Sequence, residues 1–321
     1  MGGCGYIGSA LFQYLCAKGI KVDTVDSELF GNNSNPNNIK MDFDKLTKEN
    51  LSQYSTVVLL AAHSSVPMAA AFPADALENN LVKFQRLLDK LDKQTFIYAS
   101  SSSVYSGSGS LAVNEDWQNF KPNTVYDLTK YANDALASFT NLNYYGLRFG
   151  TVCGASPNLR TELMLNSMFV KAMQHGQIFV QNKNIHRPIL GIQDLCRSLE
   201  LIIRCSGKAE RGVYNLASFN TTVLQIAQAV QEITGAEIVF GLDTPTYDFS
   251  LSTKKFEKTF GYQFKETPFS IVSQLKEQRE TMGLFVRGTT IKKKINSYQL
   301  ASEKTPFIME KQVNRESLLN L

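Results

Sequence analysis

Apolar and polar residues follow two different rhythms along the first half of the chain, and the switching between them predicts its elements. Ile7, Leu11, Tyr14 and Leu15 recur at helical spacing, which predicts a helix over 7–18. Residues 20–26 read as a strand, 45–53 as a short helix and 56–61 as a second strand. Ala76, Leu77, Leu81, Phe84, Leu87, Leu88 and Leu91 share one face of a single long helix over 73–93. A strand at 95–99, a helix at 124–140 and a strand at 143–149 follow. Strands alternating with helices build parallel βαβ units, so the expected class is α/β, a doubly wound parallel sheet. After Gly154 the rhythm changes: helix 160–175, strands near 178–180 and 188–192, helix 194–205, strand 212–216, helix 222–234, strand 236–240, and helices near 253–260 and 268–281. The expected organisation is a sheet domain over 1–155 that returns at about 188–217. A smaller C-terminal lobe takes 156–187 and 218–283, and 284–321 form a polar extension.

Composition narrows the function classes. With 321 residues, 43% of them apolar and 19% charged, the chain has a globular composition and can bury a large core beside a small one. The net charge of +4 forms no stripe, apart from the short run Lys292, Lys293 and Lys294, which argues against nucleic acid as the partner. The longest apolar run, 57–62, is strand-sized and too short for a bilayer, so no membrane partner is expected. The chain opens directly in a glycine-rich motif, so no leader peptide is expected. Five cysteines without paired spacing suggest reduced thiols and a cytoplasmic location. The three histidines have no ligand spacing, so no metal is expected.

Gly2, Gly5 and Gly8 stand immediately before and within the start of the first helix. Such glycines let a chain turn tightly and bring its backbone against a pyrophosphate, while the helix N-terminus offers free N–H groups. A glycine triplet alone reads equally as a turn. Asp26, at the end of the next strand, is placed to accept bonds from ribose hydroxyls and to repel a 2′-phosphate, which points to NAD and a Rossmann-type fold. Tyr126 and Lys130 lie four residues apart on one helix face, where an ammonium can favour the ionised phenol and make Tyr126 a general base. The run Ser100–Ser103 follows the 95–99 strand, at the carboxyl edge where ligands of open α/β sheets bind.

The glycine loop, Ala61-Ala62-His63, the serine-rich strand end, Tyr-x-x-x-Lys and Leu147-Arg148-Phe149-Gly150-Thr151 occur in that order. Over roughly 1–280 this resembles the extended short-chain dehydrogenase/reductase family, most closely its NAD-dependent nucleotide-sugar epimerases and dehydratases. The resemblance implies that Gly2, Gly5, Tyr6, Ile7 and Gly8 form the cofactor loop and that Asp42 and Phe43 lie beside the adenine. It also implies that Ala61, Ala62 and His63 line the dinucleotide and that Asn80 steadies the central strands. Ser101 falls on the catalytic Ser/Thr, Tyr126 on the base, and Lys130 on the residue that holds the nicotinamide ribose. Thr151, Asn166 and Arg187 fall where the family meets a nucleotide-sugar substrate. A homodimer is compatible with it.

Departures bear on the reaction. In the family, elimination enzymes carry carboxylates directly after the catalytic Ser/Thr, where this chain has Ser102 and Ser103. That leaves 4-epimerisation through a transient 4-keto sugar, or simple oxidation or reduction of a sugar hydroxyl by a reductase or dehydrogenase. A third reading is a non-catalytic dinucleotide-binding relic. Thr151 replaces a usual asparagine, Gly191 stands in place of a common histidine, and an arginine expected before Tyr247 is absent. The family's first strand precedes the glycine motif, and here Met1 stands where it should end. A gap in the sheet beside the strands at 20–26 and 56–61 is therefore expected, with low stability and a start upstream in the natural product. Residues 306–309 are the alternative filler.

Overall fold

A computed structural model describes residues 1–109, 112–205 and 207–279. The extension from 284, the lysine run and the 306–309 segment lie outside the described residues. Helix α1 (Tyr6–Ala17) leads to the short strands β1 (Val25–Asp26) and β2 (Ile39–Lys40), helix α2 (Lys48–Ser52) and strand β3 (Thr56–Leu59). Helices α3 (Val66–Ala71), α4 (Pro73–Leu77) and α5 (Lys83–Lys90) precede β4 (Thr95–Ser101) and β5 (Ala112–Val113). Helix α6 (Val125–Ser138) then runs into β6 (Asn143–Phe149) and β7 (Thr151–Cys153). The remainder is α7 (Met164–His175), β8 (Gln177–Val180), β9 (His186–Gly191), α8 (Ile192–Cys205) and β10 (Gly212–Leu216), then β11 (Phe219–Thr222) and α9 (Val223–Thr234). It closes with β12 (Glu237–Phe240), β13 (Ser250–Leu251), α10 (Lys254–Phe260) and α11 (Pro268–Glu277).

Strands β10, β6, β4 and β3 pair in that order, all parallel. Their side chains alternate between two helical layers, as the twofold period of a strand requires. On one face Ile97, Tyr145 and Leu147 pack with Tyr6, Leu11 and Leu15 of α1 and with Leu195 and Leu199 of α8. On the other, Val57, Leu59, Phe96, Tyr98 and Tyr144 pack with Phe84, Leu87 and Leu88 of α5 and Ala137 of α6. Burying each such side chain contributes roughly 1.5–3 kcal/mol, so the two layers hold the sheet's carboxyl edge firmly. A second sheet, β11-β9-β7, and the pair β12-β8 extend the fold toward its C-terminal part.

Two elements differ from expectation. Of the strand expected over 20–26, only Val25–Asp26 pairs, with β2. This pair is not laddered directly to β3. Met1 and Gly2 bridge them: the Met1 amine donates to Val58 O (2.8 Å), Leu60 N–H donates to Met1 O (3.0 Å), and Gly2 N–H donates to Val25 O (2.8 Å). Residues 20–23 are not in a strand, and Thr24 O accepts from Ile39 N–H (2.9 Å) at the start of β2. The helix expected over 73–93 is two α-helical pieces joined by a π-helical turn at Glu78–Val82. The wider turn brings Asn80 inward, to 2% exposure, and leaves Leu77 and Val82 on the surface.

Candidate active site

The glycine loop is shaped by close backbone approach. Gly2 has φ +78°, and a Cβ there would lie 2.5 Å from the Ala61 nitrogen. A Cβ on Gly8 would lie 2.0 Å from the Gly2 carbonyl oxygen. Helix α1 then opens at Gly5 with no side-chain cap, so the first-turn N–H groups have no partner within the helix. A pyrophosphate fits this cradle, which offers backbone donors, a positive dipole end and no side chain in the way. Asp26 ties the loop to the sheet, its carboxylate accepting from Cys4 N–H (3.0 Å) and Glu28 N–H (2.7 Å). Burial, with the Asp26 and Glu28 carboxylates nearby, pushes the Cys4 thiol up to about 12, so it stays neutral. From the other side, Ser156 Oγ donates to Tyr6 O (2.6 Å) and Asn158 Nδ2 to Cys4 O (2.9 Å).

Beyond the loop, Asp42 caps the turn at Phe43–Lys45, accepting from Asp44 N–H (3.0 Å), and pairs with Lys83 Nζ (2.5 Å). Phe43 is buried in the layer under β3. Ala61 backs against Gly2, and Ala62 and His63 continue from the end of β3, half-buried. Asn80 pins this stretch: its Oδ1 accepts from His63 N–H (2.7 Å), and its Nδ2 donates to His63 O (3.1 Å) and Thr129 Oγ1 (3.2 Å). The π turn thus couples the end of β3 to the helix that carries Tyr126 and Lys130.

Ser101 ends β4, where its Oγ accepts from Ser103 N–H (3.1 Å) and donates to Ser103 Oγ (2.9 Å). Helix α6 begins one residue before Tyr126, with Thr124 Oγ1 accepting from Asp127 N–H as the cap. This start sets the Tyr126 phenol beside the Ser101 hydroxyl, which favours the phenolate. One turn on, Lys130 Nζ lies 5.7 Å from the Tyr126 ring centroid and donates to Ala99 O (2.7 Å). Burial pulls Lys130 down to about 8, with Asp134 opposing. The expected lowering of Tyr126 is not found in the protein alone. Burial raises its pKa, outweighing Ser101 and Arg160, both of which favour the phenolate. Beneath them Asp134 accepts from Arg148 Nε (2.8 Å), Ser100 Oγ (3.0 Å) and Tyr98 Oη (3.1 Å), anchoring α6 to β4 and β6.

Substrate-side residues are less evenly placed. Thr151 opens β7 and is half-buried. Asn166 is fully buried and its carboxamide is committed: Oδ1 accepts from Gly154 N–H (3.0 Å), and Nδ2 donates to Arg160 O (2.9 Å) and Tyr6 Oη (3.2 Å). Arg187 on β9 donates to Thr246 Oγ1 (2.8 Å) and to Tyr247 O, fastening the 241–248 loop. Sequence reasoning passed over Arg160. It pairs with Glu162 (2.7 Å), donates to Ser64 Oγ (3.2 Å) and bears electrostatically on Tyr126. Its partner Ser64 lies 96 positions away, a relation that no local pattern announces.

A diphosphate cradle at one end of a parallel sheet, with serine, tyrosine and lysine gathered at its carboxyl edge, defines a dinucleotide-binding enzyme of the extended short-chain dehydrogenase/reductase type. The chain belongs to the NAD dependent epimerase/dehydratase family, whose model matches residues 1–217. Protein CapI of Staphylococcus aureus is 27% identical over 63% of this chain and 68% of its own length. An ADP-L-glycero-D-manno-heptose-6-epimerase of Brachyspira hyodysenteriae is 26% identical over 72% of this chain and 79% of its own. The alignment with UDP-glucuronate 4-epimerase 6 of Arabidopsis thaliana, at 27% identity over 57% of this chain, spans only 44% of that protein. Among solved structures, MoeE5 in complex with UDP-glucuronic acid and NAD superposes with a TM-score of 0.75 at 23% identity, over 87% of this chain and 98% of that one. UDP-glucose 4-epimerase of Thermotoga maritima with UDP-glucose gives 0.75 at 23%, over 88% and 98%. Both share the fold.

Proposed function

We propose that the protein is an NAD-dependent epimerase of a nucleotide-activated sugar, inverting a carbinol centre, C4, through a transient ketone. The observation that carries this reading is the apposition of Tyr126 to Ser101 and to buried Lys130, whose Nζ lies 5.7 Å from the Tyr126 ring centroid, with serines rather than carboxylates at 102 and 103. Tyr126, as phenolate, takes the C4 hydroxyl proton while Ser101 holds the oxygen, and the C4 hydride leaves with its electron pair. Bound NAD supplies the hydride acceptor and a cationic ring. Tyr126 would give the proton back when the other face of the ketone is reduced, so the cycle would be redox-neutral. Lys130 adds positive charge beneath Tyr126 and would hold the nicotinamide ribose. Gly2, Gly5 and Gly8 cradle the pyrophosphate, with Asp26 toward the adenosine ribose, Asp42 and Phe43 toward the adenine, and Ala61, Ala62 and His63 along the dinucleotide.

In this reading the sheet domain carries the cofactor, and the lobe of 156–187 and 218–283 receives the sugar nucleotide, with Thr151, Asn166 and Arg187 nearest it. The protein acts in the cytoplasm as a homodimer; exposed Phe72, Leu77, Leu128 and Tyr131 on or beside α4 and α6 support an apolar interface there. The test is incubation of the purified protein with UDP-hexoses and UDP-hexuronic acids. C4 epimers without net change in NADH are expected; a 4-keto-6-deoxy product, or stoichiometric use of NADH, overturns the assignment.

A further inference from the structure

Asn166, expected at the substrate, has no amide hydrogen left to offer one. Its Nδ2 donates to Arg160 O (2.9 Å) and Tyr6 Oη (3.2 Å), and its Oδ1 accepts from Gly154 N–H (3.0 Å). The second lone pair of Oδ1 sits on a side chain with zero exposure, beyond the reach of a ligand. Tyr6 is sealed in the same place. Its phenol runs from the glycine loop to the segment after β7, where it donates to Gly154 O (2.8 Å). One carboxamide and one phenol therefore hold both backbone polar groups of Gly154, a residue at φ +128°. Beyond it, Ser156 Oγ lies 2.9 Å from Ser9 Oγ and donates to Tyr6 O (2.6 Å), and Asn158 Nδ2 donates to Cys4 O (2.9 Å). The segment ends on Arg160, whose guanidinium reaches Ser64 Oγ (3.2 Å), directly after His63.

We propose that Tyr6 and Asn166 form a strut that positions segment 154–160 for the sugar nucleotide; this rests on the reading that the lobe beginning at 156 receives that ligand. Both are positioning residues. Tyr6 serves the cofactor loop through its backbone and the substrate side through its phenol. Without the phenol, Asn166 Nδ2 loses a buried acceptor and Gly154 O a buried donor, so the segment gains alternatives to its native geometry. A segment correctly set only a tenth of the time weakens the nucleotide by about tenfold. The cofactor loop keeps its ties to the sheet, Gly2 N–H to Val25 O and Cys4 N–H to Asp26, so NAD loses less.

The test is Tyr6→Phe, which removes one oxygen and keeps the ring. Calorimetric titration of the NAD-loaded protein with UDP, and in parallel with ADP, should show the bound nucleotide weakened by about tenfold. The KM of the sugar nucleotide should rise by a similar factor, with kcat falling far less and NAD affinity changing less than that of the nucleotide. Asn166→Ala should do the same, and the double variant should bind no more weakly than the poorer single one, because both break one strut. Should Asn166→Ala not fold, Tyr6→Phe alone decides. Unchanged nucleotide affinity and KM in Tyr6→Phe overturn the strut, as do fully additive losses, which would set Asn166 against the nucleotide itself. A wild type that binds neither nucleotide overturns the sugar-nucleotide reading instead. Amide exchange at Gly154, expected to quicken in Tyr6→Phe, then still decides whether the strut exists.

Discussion

Adding one methyl group at Gly8 and one at Gly5 should have opposite consequences for the cofactor-free protein. At Gly8 the new carbon would stand 2.0 Å from Gly2 O, 2.8 Å from the Gly3 Cα and 2.9 Å from the Gly2 carbonyl carbon. All three are backbone atoms of a loop that Val25 and Asp26 hold in place. Reaching ordinary contact requires a displacement of more than 1 Å, and overpacking of this kind costs typically about 1–3 kcal/mol. Alanine's better helix propensity returns at most about 1 kcal/mol. At Gly5 the nearest atom is Gly2 O at 3.4 Å, and φ is −70°, so the apo protein accommodates alanine without strain. Thermal melting without NAD should therefore show Gly8→Ala several degrees below wild type and Gly5→Ala unchanged. Calorimetric titration with NAD should then show both weakened, Gly5→Ala because its methyl meets the pyrophosphate rather than the protein. Equal melting temperatures for the two variants without cofactor would refute the steric account of the loop.

Tyr126→Phe should lower turnover by roughly 10²–10⁴-fold while NAD binding by calorimetry survives. Asp26→Ala should narrow the preference for NAD over NADP, read as the ratio of the two dissociation constants; an unchanged ratio excludes Asp26 from the ribose site. Lys130 is 4% exposed and its pKa falls to about 8 on folding, from an ordinary 10.5. Below pH 8 both states carry the proton and the native state bears the full cost, roughly 3 kcal/mol. The unfolded state alone holds the proton between 8 and 10.5, so stability rises with pH across that window. Lys130→Met should accordingly melt higher than wild type at pH 7, by a margin that shrinks toward pH 10, and should lose activity. Asn80→Ala leaves the His63 N–H and Thr129 without their buried partner and should cost about 1–3 kcal/mol in chemical denaturation.

What was legible in the sequence was what neighbouring residues encode. Strands β6 and β10 occupy the positions that their apolar runs predict, and α1 begins within a residue of its expected start. Ser101, Tyr126 and Lys130 converge because one strand end and one helical turn suffice to bring them together. The two-residue strands β2, β5 and β13 are too short to carry a period. Residues 20–23 have the composition of a strand, but a strand exists only where a neighbour shares its hydrogen bonds. Arg160 escaped notice for a related reason: its role depends on a partner far along the chain.

The π turn at Glu78–Val82 has a consequence for how this segment tolerates length changes. A π turn is an α-helix with one residue too many, so deleting one residue within it would restore regular helical hydrogen bonding. Because the surplus residue is absorbed within the turn, the helix beyond it would keep its phase, with Phe84, Leu87 and Leu88 still against the sheet, while Asn80 would lose its place between His63 and Thr129. The site therefore depends on a surplus residue, and a segment that looks like an ordinary surface helix should accept substitutions far more readily than any change in its length.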